Sequence, residues 1–245
     1  VKSIKVQLGI FLILFALYAS FLGKDAIFLS SLGISLIAAV GTDSFIVYLK
    51  TRKIIITESS VISGLIIGYV LSSSQAWWIV ALASISAIVP KHLIRLKARH
   101  IFNPAGFGVL TATFLLGATT EWKGAFIWYL IIPFGVYFSF KIKKLELIAS
   151  YFIVSFILFG GQAVLNKVNI TDIFGYLNYF FIFIMLIEPM TTPMTYYGKI
   201  IFGSGVGALI FVLYLLGIKE AEIVALLCFN LLTPLLNKSP SRHIA

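Results

Sequence analysis

The sequence predicts an all-α polytopic membrane protein, with about ten transmembrane helices set out as two inverted five-helix repeats that include broken or half helices. Three observations lead there. The 245 residues are 60% hydrophobic and 11% charged, with mean hydropathy +1.04, whereas about a quarter of a soluble domain is charged. Uncharged apolar runs such as Ile10–Leu22 and Gly203–Leu216 recur too often to fill one buried core. The basic residues, finally, collect in alternate breaks between those runs.

Taken in order, the spans lie near 4–22, 27–49, 60–73, 76–90, 104–118, 124–140, 145–165, 172–187, 200–217 and 221–236. The first lacks a small-residue cleavage site and reads as an anchor rather than a cleaved leader. The third and fifth are short, and cross only part of a bilayer unless the residues before them enter too. The chain is expected to form a single integral membrane domain, with one repeat over about 1–120 and the second over about 121–245.

Loop charge tests the count. With the N-terminus on one side, that side receives Lys2, Lys5, Lys50, Arg52, Lys53, Lys91, Arg95, Lys97, Arg99, Lys141, Lys143, Lys144, Lys199, Lys238 and Arg242. Only Lys24, Lys123, Lys167 and Lys219 fall on the other. Positive loops stay in the cytoplasm, so both termini are expected to be cytoplasmic and the protein to sit in the cell (inner, cytoplasmic) membrane. The net charge of +10 is then a topology signal rather than a sign of nucleic-acid binding. An anionic cytosolic partner or lipid headgroup could use it secondarily. Trp77, Trp78, Trp122 and Trp128 fall near the outer boundaries, as an interfacial belt would. The single cysteine, Cys228, lies in a span and reads as a small core residue.

Two breaks carry polar chemistry. In "RHIFNPAGFG" (99–108), Asn103 and Pro104 have the character of a helix start, a side-chain cap followed by a residue with no N–H to leave unpaired. Ala105, Gly106 and Gly108 keep the first turns slim for a second backbone or a flat ligand. The alternatives are a half-helix whose N–H groups face an anionic or carbonyl-rich group, and a bend needed only for packing. In "IEPMTTPMTYYG" (187–198), Pro189 and Pro193 cannot lie inside an ordinary helix. Thr191, Thr192 and Thr195 there can pair with freed carbonyls or with a ligand. Glu188 can pair with Lys199 or an arginine, or belong to an ion pathway. Glu58 holds the matching place in the first half, where Arg52 or Lys53 would be its partner. Asp43 sits inside the second span, at an insertion cost of roughly 2.5–3.5 kcal/mol. It could bind sodium, carry a proton or cap an opposing half-helix. His92 and His100 fall in a basic loop and His243 in the tail, without metal-ligand spacing.

These segments resemble the membrane subunits RnfD, of the Rnf electron-transport complex, and NqrB, of the sodium-pumping NADH:quinone oxidoreductase. The family pattern runs approximately N-P-A after a basic stretch, then D-P-(V)-(T/S)-x-x-x-T-x-x-G-(K/R)-x-x-(Y/F)-G, then A-N-x-x-x-P. Asn103, Pro104 and Ala105 match the first part. In the second, Glu188 replaces Asp while Pro189, Thr191, Thr195, Gly198, Lys199, Phe202 and Gly203 match. Asn230 and Pro234 match the third, with Phe229 in place of Ala. "ESSVISGLIIG" stands where the family has a D-G-S-type segment.

The resemblance implies ten helices in two halves, flavin cofactors, and electron transfer linked to ion movement. It also implies a covalent FMN on a threonine of a long extracytoplasmic loop after the fifth span. Here that loop is only "LGATTEWKG" (116–124). Thr119 echoes the attachment site, but the acidic residue and hydroxyl ahead of it are missing, and the loop is too short to hold a flavin. The expectation is a non-covalent flavin, FMN or riboflavin, near the half-helix ends. Asn103, Pro104, Ala105, Glu188, Thr191, Thr192, Thr195 and Asn230 would surround it, with Phe102 or Tyr196 stacking on the ring. Asp43, Glu58 and Glu188 would line the ion pathway. Electrons would pass from a cytosolic donor such as a flavodoxin, ferredoxin or reductase domain to a membrane or extracytoplasmic acceptor. A transporter or channel for a small solute, such as a flavin, on the same scaffold is the alternative, and a scaffold subunit without a ligand is a third.

Overall fold

A computed structural model describes residues 3–23, 25–96, 99–167, 169 and 173–238. Lys2, Lys24, Lys97, Arg242 and His243 of the charge and histidine reading lie outside the described residues. The chain forms two compact units, Val1–Ile127 and Trp128–Ala245.

In the first unit, α1 (Ile4–Gly23) and α2 (Ala26–Thr51) are followed by the short α3 (Glu58–Val70) and by α4 (Trp77–Leu93). A small antiparallel hairpin, β1 (Arg95–Leu96) and β2 (Arg99–His100), leads into α5 (Pro104–Leu115), and one 3₁₀ turn follows over Lys123–Ile127. Residues Ser63–Val70 of α3 are all buried, as expected of a helix that is apolar all round. Its 13 residues span only about 20 Å. α2 packs against α3 and α4, and α4 against α5. Glycine makes the α2–α3 contact close: a Cβ on Gly68 would lie 2.8 Å from Leu32 Cα, and one on Gly64 2.9 Å from Leu36 Cα. Small residues that let backbones approach are how helices associate in lipid.

The second unit holds α6 (Trp128–Lys141), α7 (Leu145–Leu165), the four-residue α8 (Ile173–Tyr176), a π-helical turn (Phe181–Met185), α9 (Tyr196–Leu215) and α10 (Ala221–Leu236). α9 is the centre, packed on both α7 and α10. A Cβ on Gly203 would collide with the carbonyl oxygen of Leu147, so α7 and α9 touch through their backbones.

Among the described residues, five helical segments are long and apolar enough to cross a membrane: Ile4–Gly23, Ala26–Thr51, Lys123–Lys141, Leu145–Leu165 and Tyr196–Leu215. The shorter apolar helices are α3, α4, α5 and α10. Most spans agree with the sequence reading, but the eighth, 172–187, is not one helix. It breaks at Leu177–Asn178, where Asn178 Oδ1 accepts the Phe181 N–H at 3.0 Å and starts a new segment. That segment then widens into π register, with the Leu186 N–H bonded to Phe181 O at 2.9 Å. An apolar run by itself does not reveal an internal cap. The first and third stretches of the family pattern take different structures: Asn103 begins a helix, while Asn230 and Pro234 lie within α10. Cys228 is exposed on α10 rather than in the core.

Candidate functional site

The α5 start forms as its sequence dictates. Asn103 has extended backbone angles (φ −59°, ψ 117°), its Oδ1 accepts from Gly106 N–H at 2.9 Å, and Pro104 takes the first helical position. Asn103 and Ala105 are buried. The slimness of the first turns serves a backbone: a Cβ on Gly108 would strike the carbonyl oxygen of Ala83 on α4. Phe102 packs on Phe107, with ring centroids 5.6 Å apart.

The second break is a stapled loop. Thr191 Oγ1 donates to Glu188 Oε2 at 3.2 Å, and Thr192 Oγ1 donates to Glu188 O at 2.7 Å. Thr191 O in turn accepts from Asn230 Nδ2 at 3.2 Å and Thr233 Oγ1 at 2.7 Å. Thr195 Oγ1 donates to Leu236 O at 2.9 Å and accepts from Gly198 N–H at 3.2 Å, which caps α9. Met194 N–H reaches Asn237 Oδ1, and the buried Lys144 ammonium reaches Pro193 O. The hydroxyls therefore pair carbonyls of the break, at Glu188 and Thr191, and tie the start of α9 to Leu236 at the end of α10. Lys199 does not serve Glu188 as expected; its ammonium donates to Glu146 Oε2 at 2.8 Å and Lys143 O at 3.0 Å, because the first turn of α9 faces the start of α7. Tyr196 is partly exposed beside Tyr197.

Asp43 gathers a cluster that the sequence reading missed. Its side chain is fully buried, with Oδ1 2.9 Å from Lys91 Nζ and 2.7 Å from His92 Nε2. Oδ2 accepts from Thr57 Oγ1 at 2.6 Å, and Thr57 caps α3 by accepting the Ser60 N–H. One carboxylate thus joins α2 to the start of α3 and the end of α4. Lys91 and His92 belong to the last turn of α4, not to the basic loop in which the sequence put them; a buried carboxylate draws cations into the bundle. The missed signal was the pairing of one intramembrane acid with basic residues at another span's end. Glu58 is exposed and accepts from Ser3 Oγ, not from Arg52 or Lys53.

At the opposite end of the first unit, the short loop after α5 folds back on the end of α3. Ser72 N–H donates to Thr119 O at 3.0 Å, and Gln75 Nε2 to Thr119 Oγ1 at 2.7 Å. Lys123 Nζ lies 2.6 Å from both Asp25 Oδ2 and Glu121 Oε1, while Ser73 Oγ donates to Asp25 and Ser72 Oγ to Glu121. The Lys123 hydrogen bond holds the Asp25 carboxyl below its usual range. Burial pushes Glu121 upward, but its bonds to Lys123, Ser73 and Ser72 outweigh that and leave it lowered as well. A cavity of about 580 Å³ opens here, lined by Leu22, Asp25, Phe28, Glu121, Lys123 and Phe126 among others.

The second unit has a smaller cavity of about 310 Å³ beside the break at Asn178. Tyr151, Phe159, Gln162 and Asn166 contribute from α7 and its cap, Tyr214 from α9, and Glu222 from the first turn of α10. The signal in the sequence was weak: amides and a carboxylate scattered through apolar stretches, far apart along the chain.

The sequence model of the NQR2, RnfD, RnfE family matches residues 1–127 and 127–244. None of the curated proteins matches the chain. Matched through both of its units, this integral membrane protein belongs to the NQR2, RnfD, RnfE family, the membrane subunits of Rnf- and Nqr-like complexes.

Proposed function

We propose that the chain is an electron-carrying membrane subunit, passing electrons through a non-covalently held flavin, FMN or riboflavin, between a cytosolic donor and a membrane or extracytoplasmic acceptor. The observation that carries this reading is the family match over the full length. When bound, a flavin accepts and returns electrons, at a potential set by its surroundings.

The residues where α1 ends and α2 begins, with those around the 3₁₀ turn, fit such a ring. Their cavity of about 580 Å³ lies within the usual range for small-molecule sites, about 300–1,000 Å³. Phe126, exposed at the cavity, offers a ring to stack on. Lys123 can donate to a ring carbonyl, and Asp25 or Glu121 can accept from a ring N–H. Thr119, exposed beside Gln75, is the one hydroxyl of this loop that a covalent link would use. Of the residues named from the two motifs, Asn103, Thr192, Thr195 and Asn230 bond to the protein's own backbone. For the donor, the hairpin bearing Arg95 and Arg99 offers a basic face to an acidic flavodoxin, ferredoxin or reductase domain. Positive loop charge supports cytoplasmic termini in the cell membrane. Ion movement coupled to the electron flow would have to dislodge the Lys91 ammonium from Asp43.

An absorbance spectrum of the detergent-purified protein, before and after acid precipitation, tests the proposal. Yellow colour released into the supernatant is the expected result. Colour kept in the pellet would assign the flavin to Thr119. A protein that stays colourless after incubation with FMN and with riboflavin overturns the reading.

A further inference from the structure

The cavity in the second unit has a lining of unusual charge. Glu222 is its one charged side chain; the other polar groups there are neutral amides and tyrosine hydroxyls, and no lysine, arginine or histidine is among the described lining residues. Three aromatic side chains, Tyr151, Phe159 and Tyr214, line the cavity. Phe159 and Tyr214 stand edge to face, with centroids 5.6 Å apart at 64°, and Phe211 buttresses Phe159 at 5.1 Å and 90°. Tyr151, almost wholly buried, backs onto Phe181 of the π-helical turn. Leu177 and Asn178, at the break, border the space.

The chemistry of this lining selects among ligands. An anion would meet Glu222 with no cation to offset it. A neutral ring would leave Glu222 either protonated or half-buried without a counter-charge, and would make no use of its charge. A bare metal ion is held best by several anionic oxygens, and among the described lining residues Glu222 is the one carboxylate, beside three aromatic rings. A cation spread over carbon satisfies all of them together, since aromatic faces attract positive charge and a carboxylate completes the pairing. We propose that this cavity binds a small organic cation, an alkylated ammonium or a protonated aromatic amine, its charged head held between Tyr151, Phe159 and Tyr214 and against Glu222. The site is independent of the flavin reading, which rests on the other unit.

Titration calorimetry of the purified full-length protein with benzyltrimethylammonium chloride tests this, with sodium benzenesulfonate as the anionic counterpart. Saturable binding of the ammonium alone is expected. Glu222→Gln should weaken it about tenfold or more, Tyr214→Leu should weaken it similarly, and Tyr214→Phe, which keeps the ring face, should retain it. Each variant's thermal unfolding is recorded, so that a misfolded Glu222→Gln leaves the Tyr214 pair to decide. Absence of saturable binding, equal binding of the sulfonate, Glu222→Gln or Tyr214→Leu binding as tightly as the parent, or displacement of the ammonium by riboflavin would each overturn the proposal.

Discussion

Replacing Lys91 by methionine should be the most damaging single change at the Asp43 cluster. The Asp43 side chain has no solvent exposure and that of Lys91 has 11%, so the two partners are not equivalent. Without the ammonium, the carboxylate keeps only the Thr57 hydroxyl and the His92 ring, at a place with no solvent exposure in the parent. Removing one partner of a buried pair costs about 3–5 kcal/mol. For a chain of this length that corresponds to a fall in the apparent Tm of roughly 6–20 °C. Asp43→Asn should cost less, because the Lys91 ammonium can swing to the solvent it already touches while the amide oxygen still accepts from Thr57. In the double variant Lys91→Met/Asp43→Asn both charges go together, and most of the loss should be recovered. Tryptophan fluorescence followed during thermal unfolding in detergent gives the four Tm values. If Lys91→Met falls by less than about 3 °C, or the double variant is no better than the single, the cluster does not hold the three helices together.

Other expectations follow from the same geometry. Asn103→Ala removes the cap of α5 and should cost about 1 kcal/mol, with Asn103→Ser recovering most of it; the comparison of unfolding temperatures decides. Gly203→Ala forces a methyl into the Leu147 carbonyl and should cost about 1–3 kcal/mol or prevent folding, whereas Gly33→Ala, with nothing within 4 Å, should be harmless; size-exclusion profiles and Tm report both. The depressed Asp25 carboxyl contributes stability that is fully present above the unfolded value of about 3.9 and is lost as pH falls through the lower folded value. Lys123→Met should therefore lower Tm at neutral pH, and the gap from the parent should close below about pH 4; a gap that persists into acid would show that Lys123 acts through something other than its charge.

What could be read from the residues was mostly local. Pro104 after Asn103, the apolar run behind them, and two prolines four residues apart each constrain their own stretch of backbone, and the structure follows them. Thr195 before Tyr196 capped α9 for the same reason. What could not be read depends on residues distant in sequence. Asn178 looks like any polar residue at a span's mouth, and only the N–H of Phe181 turns it into an internal cap. Lys91 reads as loop charge until Asp43, on another helix, is seen to need it. The two cavities combine side chains from three or four segments each, and no spacing along the chain announces them. Glycines were legible as slim positions, but whether a ring or a neighbouring helix fills the gap depended on packing, and at Gly108 the helix does.

The Asp43 cluster also imposes an order on the protein's birth. Lys91 and His92 come 48 and 49 residues later along the chain, so at about 5–20 residues per second the ribosome needs roughly 2–10 s to supply them. For that interval α2 must enter the bilayer, or wait at its edge, with an uncompensated carboxylate. Thr57, 14 residues on, is the first neighbour able to reach it. The nascent chain therefore has reason to linger beside the insertion machinery until α4 arrives, and α2 and α4 should leave for the lipid as a pair.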